Sequence, residues 1–445
     1  VSYFRKILIA NRGEVARRII RTCRRLGIAT VAIYSEADHD LPFVREADEA
    51  VLIGPPPARE SYLAIDKILD VAQSTGAEAV HPGYGFLSEN PVFAARCVER
   101  GLVFIGPRPE AIAAMGSKIG ARRFMRQAGV PVLPGWDEPL TDLDQARAVA
   151  AQLGYPLMLK ASAGGGGIGM QYLSSETELI QAFDSARERA QRYFRDGTLF
   201  FERVIPHARH IEVQIARDVH GNGVHLFERE CSVQRRHQKV IEETPSPFLT
   251  PERRAALCAA ALRGIEALDY TNLGTIEFLF DQAGQFYFLE MNTRLQVEHP
   301  ITEEVTGLDL VELQLRIAAG LPLGLNQHEI RQRGHAIECR VYAEDPRTFL
   351  PSPGQITRLE LPPGARYEFG VEAGNRMTPY YDPLVGKVIV WAETRDAAIE
   401  QMRAVLDGIV IEGIKTNVPL LRELMHDPAF CSGMYDTTLL AARTG

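Results

Sequence analysis

Six consecutive positions, Gly164-Gly165-Gly166-Gly167-Ile168-Gly169, hold five glycines, a few residues after the apolar run Pro156–Leu159 and Lys160. Such a tract forfeits side-chain packing but lets backbone amides approach phosphates closely, with the lysine as a point charge. No Lys-Ser or Lys-Thr pair follows the last glycine, so the spacing is not that of a Walker A loop. A flexible surface linker is the competing reading, although a linker rarely follows an apolar strand. A second constellation pairs acids. Thr275–Phe280 and Gln285–Met291 alternate like two strands joined by Asp281-Gln282-Ala283-Gly284. With that loop Glu277 falls opposite Phe288 and Thr275 opposite Glu290, leaving Glu277 and Glu290 as diagonal neighbours roughly 7–8 Å apart at the backbone. Two unpaired carboxylates in an otherwise apolar hairpin would each be destabilising by several kcal/mol. A divalent cation between them removes the problem, and oxygen-only ligands favour Mg2+ or Mn2+. A pair of arginine salt bridges is the alternative.

Beyond the hairpin, Glu290, Asn292, Arg294, Gln296 and Glu298 recur at every second position. On an extended backbone these five side chains project into one space, where acid, amide and guanidinium suit metal, anion and general-base work together. A solvated edge strand would show the same pattern. A third cluster sets Arg235, Arg236, His237 and Lys239 against Glu228, Glu230, Glu242 and Glu243. It reads either as a solvated, salt-bridged loop or as a pocket wall for a small anion. His210, in the strand pattern His210–Ile215, and His81, beside a proline, read equally as core groups or as ligands.

The elements that must position these residues are visible in outline. Lys6–Ala10 reads as a buried strand and Asn11-Arg12-Gly13 as a turn. Glu14–Leu26 then places Val15, Ile19, Ile20, Cys23 and Leu26 on one helical face, Gly27 stops it, and Ala29–Tyr34 is a second strand. This is a doubly wound βαβ opening, but its first turn has one glycine where a dinucleotide fingerprint needs three, which excludes a nicotinamide site there. Ala79–Val80 runs into His81-Pro82-Gly83-Tyr84-Gly85-Phe86, Val103–Ile105 ends at Gly106-Pro107, and the first domain closes near residue 115. Pro131, Pro134 and Gly135 mark a second break. A small αβ unit bearing the glycine tract continues to about Ile205. A larger unit follows, with the Pro- and Gly-rich stretch Pro351–Gly374 as an internal connection.

A length of 445 residues predicts about three domains, and 46% apolar with 24% charged residues is ordinary globular composition. The net charge of −8 excludes a sequence-blind grip on nucleic acid or anionic lipid, so any anion must be held by local basic clusters. Only seven of the 49 basic residues are lysines, which makes a lysine inside a glycine-rich or carboxylate-rich stretch notable. The six cysteines form no Cys-x-x-Cys pair and fit reduced thiols in a cytoplasmic compartment. No apolar run approaches the ~20 residues needed to span a bilayer, and Val1–Ala10 lacks a signal-peptide pattern.

In chain order the motifs resemble the biotin carboxylase family of the ATP-grasp superfamily, over essentially the whole chain. They are Ile9-Ala10-Asn11-Arg12-Gly13-Glu14, the decapeptide His81 to Asn90, Met115-Gly116-Ser117-Lys118 and the glycine tract. Arg209 to Gln214, Gln234 to Lys239, Glu290 to Pro300 and Gly334 to Arg340 complete the set. The resemblance implies an α/β (α+β) protein of three parts: a Rossmann-like N-terminal domain, a mobile lid and a C-terminal domain. In this chain that gives residues 1–115, a linker at 116–132, a lid at 133–204, an ATP-grasp core at 205–330 and a C-terminal domain at 331–445. By position, Lys118 and Lys160 are expected at the ATP phosphates, with Gly166 and Gly167 in the closing lid loop. Glu202, Arg203, Val204 and Ile205 are expected to meet the adenine, and His210 and His237 to line the site. Glu277, Glu290 and Asn292 should hold Mg2+ or Mn2+. Lys239, Arg294, Gln296 and the Val297 backbone should bind bicarbonate, Glu298 should deprotonate it, and Arg340 should stabilise the biotin enolate. Tyr84 and Gly85 should border the biotin ring.

Two positions depart from the family pattern. Ile168 stands where a basic residue is usual, so a lid-to-phosphate contact is expected to be missing and nucleotide affinity to be weaker. Ser117 replaces a common Asp. The chain has no Met-Lys pair, the usual setting of a biotinylated lysine, and no room for a carboxyltransferase. Biotin is therefore expected on a separate carrier protein or domain, with a carboxyltransferase component and a second copy of the chain as further partners. The competing functions are a different carboxylate-using ATP-grasp ligase and an idle nucleotide-binding subunit. The first has no need of Arg294, Glu298 and Arg340 together, and the second has no need of intact acid, base and metal positions.

Overall fold

The computed structural model describes residues 3–163 and 170–441. Its first unit is a parallel sheet of β1 (Lys6–Ile9), β2 (Ala29–Ser35), β3 (Glu49–Gly54), β4 (Ala79–His81) and β5 (Val103–Phe104), in the order β3-β2-β1-β4-β5. The helix Gly13–Leu26 buries Val15, Ile19, Ile20 and Cys23, and Gly27 ends it at φ +70. That left-handed cap is open to glycine without steric penalty. Strand order reverses between β1 and β4, so the loops leaving their carboxyl ends, Asn11–Gly13 and His81–Phe86, flank a natural binding crevice.

The second unit is an antiparallel sheet of β6 (Gly135–Trp136), β7 (Leu157–Ala161), β8 (Met170–Leu173) and β9 (Leu199–Arg203). With the helices Leu143–Leu153 and Glu176–Phe194 it encloses a core of its own that includes Leu159, Leu179, Phe183 and Phe201.

The third unit is built on an eight-stranded antiparallel sheet. Its strands are β10 (Arg209–Arg217), β11 (Gly223–Arg235), β12 (Gln238–Thr244), β13 (Asn272–Phe280), β14 (Phe286–Asn292) and β15 (His335–Tyr342), joined by β18 (Arg366–Phe369) and β20 (Leu384–Ala392). The order is β14-β13-β10-β11-β12-β15-β20-β18, so one sheet runs unbroken across residue 330. The Pro351–Gly374 stretch is more than a connection. It carries β18 and the short strands β16 (Gly354–Gln355) and β17 (Arg358–Glu360), which pair with β19 (Arg376–Met377) and β21 (Val410–Glu412). Among the described residues no helix is long and apolar enough to cross a membrane.

The acid hairpin differs from its expected register. Phe280 pairs with Phe286, Phe278 with Phe288 and Glu277 with Glu290, and the ladder slips by one residue between the last two pairs. Leu289 is the extra residue of this bulge. The turn holds five residues, Asp281 to Gln285, closed by the Asp281 N–H donating to the Gln285 carbonyl at 2.9 Å. The longer turn lets Phe286 and Phe288 share the core of Phe278 and Phe280, and the bulge then returns Glu290 to the face of Glu277. The two acids are therefore direct, not diagonal, neighbours.

Candidate active site

Three acids stand in a row across three strands, Glu212 of β10 opposite Glu277 of β13, and Glu277 opposite Glu290 of β14. Like charges in such proximity require cations, and two supply them. The Lys239 ammonium donates to Glu212 Oε2 at 2.5 Å, Glu277 Oε1 at 2.8 Å and Glu298 Oε1 at 2.7 Å. Burial would lower its pKa, but these three acids hold it well above the usual range. Arg229, fully buried, caps Glu212 and reaches Gln214 at 2.7 Å, Thr302 at 2.9 Å and Thr275 at 3.1 Å. His210 Nε2 lies 2.9 Å from Glu277 Oε2.

The chain beyond β14 is not extended. It bends after Asn292 and turns at Val297 into the helix His299–Thr306. Hydrogen bonds, not a pleat, bring the polar row together. Arg294 donates to Asn292 Oδ1 at 2.8 Å and Gln296 Oε1 at 3.0 Å, while the Asn292 and Gln296 amides reach Glu277 Oε1 at 2.9 and 3.2 Å. Glu89, from the first unit, clasps the bend through the Thr293 N–H at 3.0 Å and Arg294 Nε at 2.9 Å. Glu298 at the end of the turn is fully buried, with Arg340 donating to its Oε2 at 2.9 Å. Burial pushes Glu298 up, yet Lys239, Arg340 and Arg229 hold it well below the usual carboxylate range. Arg340 also donates to Glu242 at 2.6 Å, and burial, against the pull of Arg340, lifts Glu242 to about 7.

Lys118 and Lys160 face this row from the linker and the second unit. Lys118 opens the helix Lys118–Gln127, which Ser117 caps by accepting from the Gly120 N–H at 3.2 Å. Burial lowers Lys118, and Lys160 repels it while Glu290 attracts it, so the two lysines and that acid lie within electrostatic reach. Lys160 donates to Glu202 at 2.5 Å, and Arg122 reaches the other Glu202 oxygen at 2.7 Å. Arg203, Val204 and Ile205 continue into the link between β9 and β10, Arg203 exposed and the others half-buried. His237 sits in the exposed turn joining β11 to β12. Gly166, Gly167 and Ile168 lie outside the described residues.

The donor set fits a hard divalent cation. Glu212 and Glu277 already share Lys239, whereas burial and the Glu277 charge push Glu290 up. A further positive charge is therefore favourable between Glu277 and Glu290, with the Asn292 oxygen donor two residues on.

On the opposite side, the Asn11 amide holds the Pro82 carbonyl at 2.8 Å and the Tyr84 carbonyl at 2.7 Å. The intervening Gly83 has φ +63, and a Cβ there would come within 2.9 Å of Asn11 Nδ2. Gly85 has φ +68, and the Tyr84 hydroxyl donates to Glu14. The ordering of this loop brings Tyr84 into the field of Arg340. His81 is a buried core group, its Nδ1 accepting the Gly83 N–H at 3.0 Å and its other nitrogen 3.1 Å from Gln314.

The third charge cluster divides: Arg236 and His237 sit in an exposed turn, but its acids are not solvated. Glu228, Glu230, Glu242 and Glu243 are fully buried in central strands, each beside a cation: Arg254, Arg209, Arg340 and Arg395 respectively. Glu212, Arg229, Arg122 and Glu89 were not singled out from sequence. The signal for Glu212 was present, since His210, Glu212 and Gln214 alternate with Ile211, Val213 and Ile215. Arg229 gives no local sign, because its partners come from three other segments.

Three families match successive parts of the chain. They are the biotin carboxylase N-terminal domain over residues 3–112, the ATP-binding domain of the carbamoyl-phosphate synthase L chain over 117–326, and the biotin carboxylase C-terminal domain over 338–442. The chain is 56% identical to a biotin carboxylase of Halalkalibacterium halodurans, covering 99% of each. It is 57% identical to biotin carboxylase 2 of Bacillus subtilis, covering 98% of this chain and 99% of that one. Among solved structures, the biotin carboxylase domain dimer of Hydrogenobacter thermophilus 2-oxoglutarate carboxylase, in complex with MgADP, ADP and bicarbonate, superposes with a TM-score of 0.97. It is 46% identical and covers 100% of this chain and 98% of that one.

Proposed function

The chain belongs to the biotin carboxylase family, and from that premise we propose that its buried acid turn activates bicarbonate with ATP and passes the carboxyl group to N1′ of biotin. This is the first half-reaction of a biotin-dependent carboxylase, with ATP and Mg2+ (or Mn2+) as cofactors and carrier-bound biotin as substrate. The observation that carries the reading is Glu298, fully buried between Lys239 at 2.7 Å and Arg340 at 2.9 Å.

In this reading Lys118, Lys160, Gly166 and Gly167 meet the ATP phosphates. Glu202, Arg203, Val204 and Ile205 meet the adenine, and His210 and His237 line the site. Glu277, Glu290 and Asn292 would hold the divalent cation, which supplies charge neutralisation at the triphosphate. Lys239, Arg294, Gln296 and the Val297 backbone bind bicarbonate. At rest Glu298 is too well stabilised as an anion to be a strong base. A bicarbonate that takes a share of Lys239 and adds its own charge raises the proton affinity of Glu298 where it is needed. Glu298 then takes the bicarbonate proton, and the freed oxygen attacks the γ-phosphorus, expelling ADP and forming carboxyphosphate. The lysines offset charge on the transferred group, a task of preorganised electrostatics. Carboxyphosphate breaks to CO2 and phosphate, the phosphate removes the N1′ proton, and Arg340 offsets the enolate charge as the nitrogen attacks CO2. Tyr84 and Gly85 border the ring. Because carboxyphosphate is labile in water, the second unit closes as a lid before it forms.

The proposed division of labour runs at residues 115, 132, 204 and 330, and it is supported by the separate sheets of the first two units. Biotin is taken to arrive on a carrier protein or domain, a carboxyltransferase to complete the reaction, and two copies of the chain to pair. Relatives that are named as one component of a pyruvate carboxylase, in Methanothermobacter thermautotrophicus, and as the alpha chain of a propionyl-CoA carboxylase, in Ruegeria pomeroyi, support a multi-component assembly. A cytoplasmic setting suits six free cysteines, five of them buried. Bicarbonate-dependent ADP release, stimulated by free biotin, is the expected result in steady-state assay. No ADP release with both ligands present would overturn the proposal in favour of an idle nucleotide-binding protein, and release indifferent to both would overturn it in favour of a different ATP-using reaction.

A further inference from the structure

Lys387 is fully buried, and three parts of the chain converge on its ammonium. It projects from β20, directly opposite Arg340 in the ladder with β15, so two cations lie side by side on one sheet face. Each grips a successive residue of the same turn. Arg340 holds the Glu298 carboxylate at 2.9 Å, and Lys387 donates to the Val297 carbonyl at 2.7 Å. That carbonyl belongs to the peptide leading into Glu298, whose plane is thereby set. Lys387 also lies 3.0 Å from Glu14 Oε1, the oxygen to which the Tyr84 hydroxyl donates.

One ammonium thus joins the bicarbonate turn of the third unit to the tyrosine loop of the first. We propose that Lys387 is a positioning residue for this reaction: it sets the Val297–Glu298 peptide for bicarbonate and, through Glu14, ties that peptide to the Tyr84 hydroxyl on the biotin side. The inference rests on the reaction assigned above. Lys387 touches no substrate in this reading; it acts through Val297 and Tyr84. Because the two subsites share a support, biotin seated against Tyr84 stiffens the turn that holds bicarbonate, and occupancy of one favours the other.

The test uses the full chain with ATP, bicarbonate and free biotin. Lys387→Met removes the charge and keeps most of the volume. The expected outcome is a bicarbonate KM raised about tenfold to a hundredfold, the range of one lost buried charged hydrogen bond. The KM for ATP, bound at the far lysines, should stay within about twofold, and stimulation of ADP release by biotin should fall. Glu14→Gln separates the ends. It leaves the bond to Val297 in place, so biotin stimulation should fall while the bicarbonate KM moves less than in Lys387→Met. Equal changes in both KM values, or none, in a Lys387→Met protein that still binds nucleotide would overturn the inference. Should that variant not fold, undiminished biotin stimulation in Glu14→Gln overturns it alone. Wild-type ADP release that ignores bicarbonate and biotin would instead strike at the assigned reaction.

Discussion

In the proposed reaction Glu298 is a stable anion and a base in the same cycle. Its two oxygens are held by different cations, Lys239 and Arg340, so the anion can lose part of one partner to substrate without being left alone in the protein. Glu298→Gln keeps the shape and removes the base. It should reduce ADP release by several orders of magnitude while leaving nucleotide affinity, by equilibrium titration, within about twofold. Collapse of nucleotide binding would show that the acid belongs to the ATP site. A second carboxylate sets acid stability. Burial would raise Glu243, but His335 at 2.6 Å and Arg395 at 2.7 Å hold it down to about 2. In the unfolded chain it returns to 4.5, where it binds protons more tightly. The stabilisation is therefore complete above pH 4.5 and lost as pH falls towards 2, on the order of 3 kcal/mol in all. Glu243→Gln should flatten the fall of the unfolding midpoint across that window, as thermal scans at graded pH would register. At this scale the sequence is informative about what is rare or periodic. Lys239, one of seven lysines, and the alternating row to Glu298 stand out. Arg229 is one of many arginines and Lys387, though equally rare, lies in an apolar run, so neither stands out; their importance is conferred by segments distant in sequence.

Elements add what single residues lack, a direction. The hairpin was legible as two largely apolar strand runs and a glycine-bearing turn, and Gly284 does take φ +85 there. Its register was not legible. Counting outward from the turn presumes an unbroken ladder, and the slip at Leu289 leaves no compositional mark. A slip of one residue exchanges faces, so the bulge decides whether Glu290 meets Glu277. The loop after β4 is governed by backbone freedom in a similar way. At Gly83 a side chain would need a left-handed conformation and would press on Asn11, the residue that pins both Pro82 and Tyr84. Gly83→Ala should displace Tyr84 and raise the KM for biotin by about tenfold or more while sparing the KM for ATP. Parallel losses for both substrates would mean that the loop serves the fold at large.

Across the whole molecule, the N-terminal βαβ opening and the three-unit layout could be read from periodicity and glycine punctuation. The continuity of one sheet across residue 330 could not, because β12 and β15 are far apart in sequence yet pair edge to edge. That continuity makes the third unit the fixed frame, carrying Lys239, Glu277 and Arg340 on strands of one sheet and Glu298 in the turn that follows β14. The second unit is different. Its sheet hydrogen-bonds to neither of the other large sheets, and its apolar core is separate. It joins the frame through the link after β9, through the segment around Pro131 and Val132, whose contacts include the Phe288 N–H donating to the Pro131 carbonyl at 2.7 Å, and through the helix Lys118–Gln127, whose Arg122 reaches Glu202 at 2.7 Å and Asp137 at 2.6 Å. In the proposed reading, a nucleotide bound by Lys160 on one side and by the acid row on the other adds a further bridge between the two bodies. At one hundred times its dissociation constant it should add about 2.7 kcal/mol of stability to the protein. If the second unit is the part being recruited, that gain should be uneven. Amide exchange should slow in β7, β9 and the β9–β10 link, with little change in β1 to β5. Uniform slowing over all three units would place the nucleotide's effect on global unfolding and remove the basis for treating the second unit as a lid.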